Sequence, residues 1–340
     1  MPIIPRLIID QYGAFLGKHS ERLQVKVNRD VVAEVPLFGL EQVLIIAGGV
    51  SLSSDAVRAC AEAGVPISFV SRSGKPYARL TSVDLIGTVQ TRRELLLAYA
   101  DGRGVTLAKA FAQGKLLNQV NLLKYMAKYR KTRERETYQF IWGLAEEIKA
   151  LAEELEKLSG GNVDAIRPQL LNLEGRAANL YWEGIKRLLL AEVEFRGREQ
   201  RGAQDVVNVC LNYGYGILYT QVEQAILLAG LDPYAGFVHV DRSGKPSLVL
   251  DLIEEFRQAV VDRTVFGLLN KGVEIALEEG RLSDASRKLL AEKVLERLEG
   301  EELFEGKRHR LRTILQMQAR HIATFVRGER AQYKPFVARW

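Results

Sequence analysis

The sequence predicts an α+β protein, in which a small β-rich N-terminal domain (residues 1–85) precedes a large all-α domain (residues 86–340). Three observations carry this expectation. Up to about residue 80, apolar residues form strand-length runs or alternate with polar ones, as in half-buried strands. From about residue 88 the apolar spacing turns helical and stays so almost to the end. The 340 residues, 47% of them hydrophobic, suffice for one large core or two ordinary ones.

Taken in order, Leu7 to Ile9 is a short β run, and Leu23 to Val27 alternates strictly. Asn28-Arg29-Asp30 is a turn leading into Val31 to Val35, which predicts a hairpin. Val43 to Ile46 and Ile67 to Val70 are further strands. Between them Ser53 and Ser54 cap a helix that runs to Ala63 and stops at Gly64. Ser71 to Pro76 reads as a turn. Helices are expected over Gln90–Ala100, Leu107–Arg130, Tyr138–Leu158, Asp164–Glu194 and Ala203–Ala229. Asp101 to Gly104 breaks the first of these, and Ser159-Gly160-Gly161 closes the third. Gly230 to Pro246 is a Gly- and Pro-containing loop, and the chain is helical again from Leu248.

Several classes are excluded. A charged fraction of 26% is that of an ordinary globular chain, so disorder is not expected. No apolar run reaches the roughly 18–20 residues of a membrane span. The first ten residues lack a basic-then-apolar export pattern. Cys60 and Cys210 lie in apolar contexts without a metal or redox motif, as expected of buried thiols in a reducing cytoplasm. The net charge of +6 fits a polyanionic partner or ordinary solubilising charge, and its distribution must decide between them.

Candidate chemistry lies between residues 164 and 257. His239, in Gly236-Phe237-Val238-His239, follows the loop's Gly/Pro break; a lone histidine serves as structure or as ligand. In Leu250-Asp251-Leu252-Ile253-Glu254-Glu255-Phe256-Arg257, Asp251 and Glu254 share a helix face at i and i+3, and a solvated acidic patch paired with Arg257 is the alternative. Glu174, at the border of an apolar helical stripe beside Gly175, is a rim residue or faces a cleft. Two carboxylates and one imidazole would suit Mn²⁺ or Mg²⁺, leaving positions for phosphate oxygens. Spacing alone leaves this open.

The motifs around His239 and Glu254, preceded by Glu174-Gly175 with Ala177-Ala178 and Tyr181-Trp182, resemble the CRISPR-associated integrase and endonuclease family of spacer acquisition (the Cas-one family). Asn212 to Leu218 and Ala225 to Gly230 fill the interval as in relatives, and the resemblance spans essentially the whole chain. It implies that Glu174, His239 and Glu254 are the three metal ligands, with Asp251 supporting them on the same face. Tyr219 falls near an active-site tyrosine of some relatives, or is simply a core tyrosine. The implied reaction is attack of a 3′-hydroxyl of a short DNA on a phosphodiester at the edge of a CRISPR repeat, with water as the alternative nucleophile. Implied partners are double-stranded and branched DNA, a second copy of the chain, and a small ferredoxin-like protein (the Cas-two family).

Two basic clusters are candidates for DNA contact. Lys124, Lys128, Arg130, Lys131, Arg133 and Arg135 form one, which pairs alternatively with the acidic helix Glu146–Glu156. Lys307, Arg308, Arg310, Arg312 and Arg320 form the other, with few acids after Glu305 and no base-reading motif. Two competing readings are a non-catalytic helical DNA-binding scaffold and a hydrolase of small phosphorylated molecules. An extended positive surface disfavours the second.

Overall fold

Side chains alternate between buried and partly exposed along Arg6–Ile9 and Arg22–Val27, whereas Gln42–Ile45 is buried throughout. The structure, a computed structural model, describes residues 6–80, 82, 89–190, 193–240 and 242–340. Strands β1 (Arg6–Ile9), β5 (Gln42–Ile45) and β7 (Ile67–Val70) run parallel, and β8 (Pro76–Leu80) closes the sheet antiparallel to β7. A second sheet is the meander β2 (Phe15–His19), β3 (Arg22–Val27) and β4 (Asp30–Pro36), with β6 (Ser51–Leu52) parallel to β2. The expected hairpin turns at Asn28 and Arg29, at φ 50° and 75°, the doubly left-handed geometry that matches strand twist. Helix α1 (Ser54–Glu62) begins where Ser53 Oγ accepts the Ala56 N–H at 3.1 Å, and ends before Gly64 at φ 67°. Strands β2, β6 and β8 were not anticipated. Strand β8 lies just beyond the Ser71–Pro76 turn and is largely exposed, so it lacks an alternating apolar signal.

The helical part comprises α2 (Val89–Ala98), α3 (Gly102–Ala127), α4 (Arg135–Glu156), α5 (Val163–Leu188) and α6 (Val206–Leu228). Helix α3 starts earlier than Leu107, because Asp101 caps it by accepting the Arg103 N–H at 2.8 Å. Gly104 sits so close to α2 that a Cβ there would lie 2.4 Å from the Ala98 carbonyl oxygen. After the loop come α7 (Ser247–Leu252), a 3-10 turn (Ile253–Glu255), a π turn (Gln258–Asp262) and α8 (Arg263–Leu269).

The stretch beyond Leu248 is not uniformly helical. A short hairpin pairs β9 (Leu277–Glu278) with β10 (Arg281–Leu282), and a second pairs β11 (Glu301–Phe304) with β12 (Lys307–Arg310). Their turns, Glu279-Gly280 and Glu305-Gly306, each hold two successive residues at positive φ. Helices α9 (Asp284–Glu299) and α10 (Leu311–Val326) flank the second hairpin, and residues 332–340 cross back as a strap without regular structure.

One cluster of buried side chains, including Leu7, Leu16, Leu23, Ile45 and Ile67, belongs to the β-rich region. The larger one runs through the helices and also takes in Leu44, Ile46 and Val70, so the parallel sheet serves both. The boundary expected near residues 80–90 lies largely outside the described residues. The regions are tied by Arg79–Glu223 (3.0 Å), Lys288–Asp10 (2.9 Å) and a Gln221–Gln42 hydrogen bond (2.6 Å). The Gly74 turn lies on α6, where a Cβ at Gly216 would stand 1.4 Å from the Gly74 oxygen. Cys60 and Cys210 are buried and unpaired by disulfide. No described helix is long and apolar enough to cross a membrane.

Candidate active site

The loop carrying His239 is held by one carboxylate. Asp251 Oδ2 accepts the Phe237 and Val238 N–H groups at 2.6 and 3.0 Å; Oδ1 accepts the His239 N–H at 3.1 Å and pairs with His239 Nδ1 at 2.7 Å. With Nδ1–H donated to Asp251, His239 Nε2 keeps its lone pair. Gly236 permits this approach, since a Cβ there would lie 2.5 Å from Ser247 Cβ and 2.9 Å from Asp251 Oδ2. Arg167 of α5 clamps the loop from the other side, donating to the Phe237 and Val238 carbonyls at 2.9 and 3.2 Å. Asp251 is fully buried and spends its acceptors on this loop. It therefore orients His239 rather than facing the site with Glu254.

Glu254, on the 3-10 turn after α7, meets Glu174 of α5 through Lys115 of α3. The Lys115 ammonium contacts Glu174 Oε1 directly and stands 3.0 Å from Glu254 Oε2. Arg257 approaches Glu254 Oε1 at 3.2 Å. Burial raises the Glu254 pKa, but Arg257, Lys115 and His239 outweigh it and hold the carboxyl below the usual carboxylate range. Burial likewise disfavours the Lys115 ammonium, and the charges of Glu254 and Glu174 outweigh it, so its pKa is raised. Sequence reasoning brought Glu174, His239 and Glu254 together but missed Lys115 and Arg167, and read Arg257 only as an ion-pair partner. A lysine on the stripe that buries Phe111, Asn118 and Leu122 was the available signal for Lys115.

Beneath the site, the Arg257 guanidinium lies 4.6 Å from the Tyr215 ring centre. Tyr215 and Tyr181 hydroxyls donate to Asp262 at 2.5 and 2.6 Å, and burial pushes that carboxyl up to about 6. Glu255 faces away from Glu254 into the strap, accepting from Tyr333 Oη (2.6 Å), Gln318 Nε2 (2.7 Å) and the Phe336 N–H (2.8 Å). Burial pushes the Glu255 carboxyl up to about 7.

The donor set suits a hard divalent cation: two carboxylates and an imidazole nitrogen. Glu254 Oε2 is buried and accepts no properly directed hydrogen bond among the described residues, despite the nearby ammonium. Also among the described residues, no three His, Cys, Asp or Glu side chains stand close enough to hold an ion directly. The Lys115 ammonium takes the space between the two carboxylates. The residues fit a cation site whose position is held by an internal cation.

The basic clusters divide. Lys307 and Arg308 are exposed on β12 and Arg320 is exposed on α10, whereas Arg310 lies 3.3 Å from Glu299. Arg312 turns inward to Glu41 and Glu299, bridging the two regions. In the earlier cluster Lys124 pairs with Glu146 at 2.7 Å and lies over Trp142, and Arg130 pairs with Glu134 at 2.6 Å. Tyr219 packs partly buried against the helical core, with Glu223, Tyr234 and Arg79 as its charged and polar neighbours.

The sequence model of the family described as CRISPR associated protein Cas1 matches residues 7–296. A protein named CRISPR-associated endonuclease Cas1 1 from Archaeoglobus fulgidus is 40% identical over 347 residues, spanning 98% of this chain and 100% of its own. Among solved structures, a casposase bound to integration product has a TM-score of 0.80 at 21% identity, over 97% of this chain and 93% of that one. A chain of a Cas6-RT-Cas1--Cas2 complex has a TM-score of 0.77 at 20% identity, over 98% of this chain and 36% of that one. At these identities the structural likenesses speak to the fold, and the sequence matches speak to descent: the chain belongs to the CRISPR-associated Cas1 family.

Proposed function

We propose that the protein is a metal-dependent DNA integrase and endonuclease that inserts short DNA into a CRISPR array. The observation that carries this reading is the convergence of Glu174 and Glu254 on one cation position beside the oriented His239. Membership of a family with relatives named endonucleases supports it.

In this reading Glu174, Glu254 and His239 Nε2 hold Mn²⁺ or Mg²⁺. When bound, the cation supplies a Lewis acid that stabilises charge on the attacked phosphate. Asp251 fixes the imidazole tautomer and ring plane. Arg257 keeps Glu254 ionised and in place. Lys307, Arg308 and Arg320 supply backbone contacts to double-stranded and branched DNA, and Arg310 joins them on the same strand. Residues 1–85 form the dimerising domain and residues 86–340 the catalytic one. A ferredoxin-like partner completes the assembly, and the cytoplasm is its compartment.

The test uses purified protein with Mn²⁺ and either branched DNA or a pre-spacer duplex with free 3′ ends. Glu174→Ala and His239→Ala are expected to abolish both cutting and joining. Undiminished activity in both variants would overturn the assignment.

A further inference from the structure

We propose that Lys115 is the resident counter-ion of the Glu174–Glu254 pair and gives up that place when a divalent cation binds, so that the site loads by exchange. The inference rests on the reading of this site as a metal site.

Four observations support the exchange. First, the ammonium touches both carboxylates, and its side chain is only 15% exposed. It is therefore a built-in partner rather than a passing surface charge. Second, its hold on Glu254 is an ion pair at 3.0 Å in which Oε2 is not squarely placed for a hydrogen bond. A point charge on a flexible stem is held without the fixed geometry of a guanidinium fork. Third, the other cation at Glu254 is fixed. Arg257 lies over Tyr215 at 4.6 Å, and Tyr215 is anchored to Asp262. Of the two cations, Lys115 is the one able to move without dismantling the core.

Fourth, its base is held in place, so only the stem can carry the ammonium away from the two carboxylates. At Gly114 a Cβ would lie 2.9 Å from Pro335 Cβ and 3.0 Å from Glu255 Cγ, so α3 is seated tightly on the strap and on the residue next to Glu254. Asn118, one turn on, donates to the Glu255 and Phe336 carbonyls at 2.9 Å each. The backbone of Lys115 therefore cannot retreat, and exchange must occur by rotation of its four-carbon stem.

Charge counting gives the direction. Glu174 and Glu254 are balanced by Lys115 and Arg257, so these four groups together are neutral before loading. A divalent ion entering with Lys115 in place would set like charges side by side on the same two oxygens, which is unfavourable at contact distance. Departure of the ammonium relieves this, and the neutral cluster keeps the two carboxylates from repelling one another beforehand. Lys115 thus stabilises the metal-free protein and weakens metal binding.

The test is Mn²⁺ binding by calorimetry and by loss of the free-ion paramagnetic resonance signal, on the full chain without DNA. Wild type is expected to show a saturable site that Glu174→Gln removes. Lys115→Met should bind Mn²⁺ at that site at least tenfold more tightly, and should melt lower than wild type without Mn²⁺ but recover with it. Lys115→Arg, which keeps the charge, should show no gain. Should Lys115→Met fold poorly, Mg²⁺ titration of wild type carrying ¹³C at lysine Cε gives a second readout, in which the Lys115 resonance must move saturably. A Glu174-dependent Mn²⁺ site whose affinity is unchanged or weaker in Lys115→Met overturns the exchange and leaves the metal site standing. So does an unmoved Lys115 resonance under saturating Mg²⁺. Absence of any Glu174-dependent Mn²⁺ binding in wild type overturns the metal-site reading, and the exchange with it.

Discussion

Asp251 Oδ1 accepts twice from the same residue, taking the His239 backbone N–H at 3.1 Å and its ring Nδ1 at 2.7 Å. One buried carboxylate thereby sets both the path of the loop and the tautomer of the imidazole. Asp251→Asn replaces an acceptor with an amide donor facing N–H groups. The expected result is a loss of Mn²⁺ affinity and of DNA cleavage of about 10- to 100-fold, the usual cost of removing an outer partner of a ligating histidine. Asp251→Ala should also lower unfolding stability by about 3 kcal/mol, since several buried N–H groups lose their acceptor. Calorimetric binding and denaturant melts measure the two effects.

Glu255 gives the protein a pH dependence of known sign. Its folded carboxyl titrates at about 7, against about 4.3 in an unfolded chain. The native state therefore holds an extra proton between these values, and this contribution to stability, present below the unfolded value, is lost as pH rises toward 7. Asp262, at about 6, acts in the same direction over a lower window. Urea midpoints of wild type should fall between about pH 4.5 and 7 and level off above that. Glu255→Gln should flatten that fall by up to about 3 kcal/mol.

Arg308 and Arg312 are close in sequence and differ in surroundings. Arg308 is exposed on β12, whereas Arg312 is engaged with Glu41 and Glu299. Arg308→Ala should weaken DNA binding and reduce the slope of log affinity against log salt by about 0.9, one phosphate contact. Arg312→Ala should leave that slope unchanged and lower the melting midpoint by about 2 °C, the size expected of a partly exposed ion pair in a large domain. Filter binding across a salt series, together with thermal melts, distinguishes them.

Gly216 marks where the Gly74 turn rests on α6. A methyl group there would overlap the Gly74 oxygen, at 1.4 Å. Gly216→Ala is expected to cost about 3 kcal/mol or more, as in overpacked cores where backbone has to move. Because the clash is between the β-rich and helical regions, limited proteolysis should cut near residues 71–75 in the variant before it cuts the helices.

What the sequence made legible follows from local physics. The Leu23–Val35 hairpin, the Ser53 cap and the Gly64 stop each declare themselves within a few residues, and the structure has all three. Glu174, His239 and Glu254 were singled out through motif context, since their partners lie far along the chain. Lys115 was not found, because a single lysine in a 26-residue helix has no local signature of the carboxylates it will meet. The β11–β12 hairpin was passed over because its charged residues lack alternating hydrophobicity, although Glu305-Gly306 is a sound turn signal. Asp251 shared the expected helix pattern with Glu254, but a pattern of spacing does not reveal which carboxylate the loop backbone will claim.

The strap has a consequence for when the candidate site is assembled. Lys115, Glu174, His239 and Glu254 come from separate stretches, and Asn118 and Glu255 are fastened through Phe336 near the far end of the sequence. Contacts of such long separation form late in folding. A chain still emerging from the ribosome, or one cut short before Phe336, carries Lys115, Glu174, His239 and Glu254 without the clasp that seats α3 against the Glu254 turn. Seating of the candidate site is thereby deferred until Phe336 has been made.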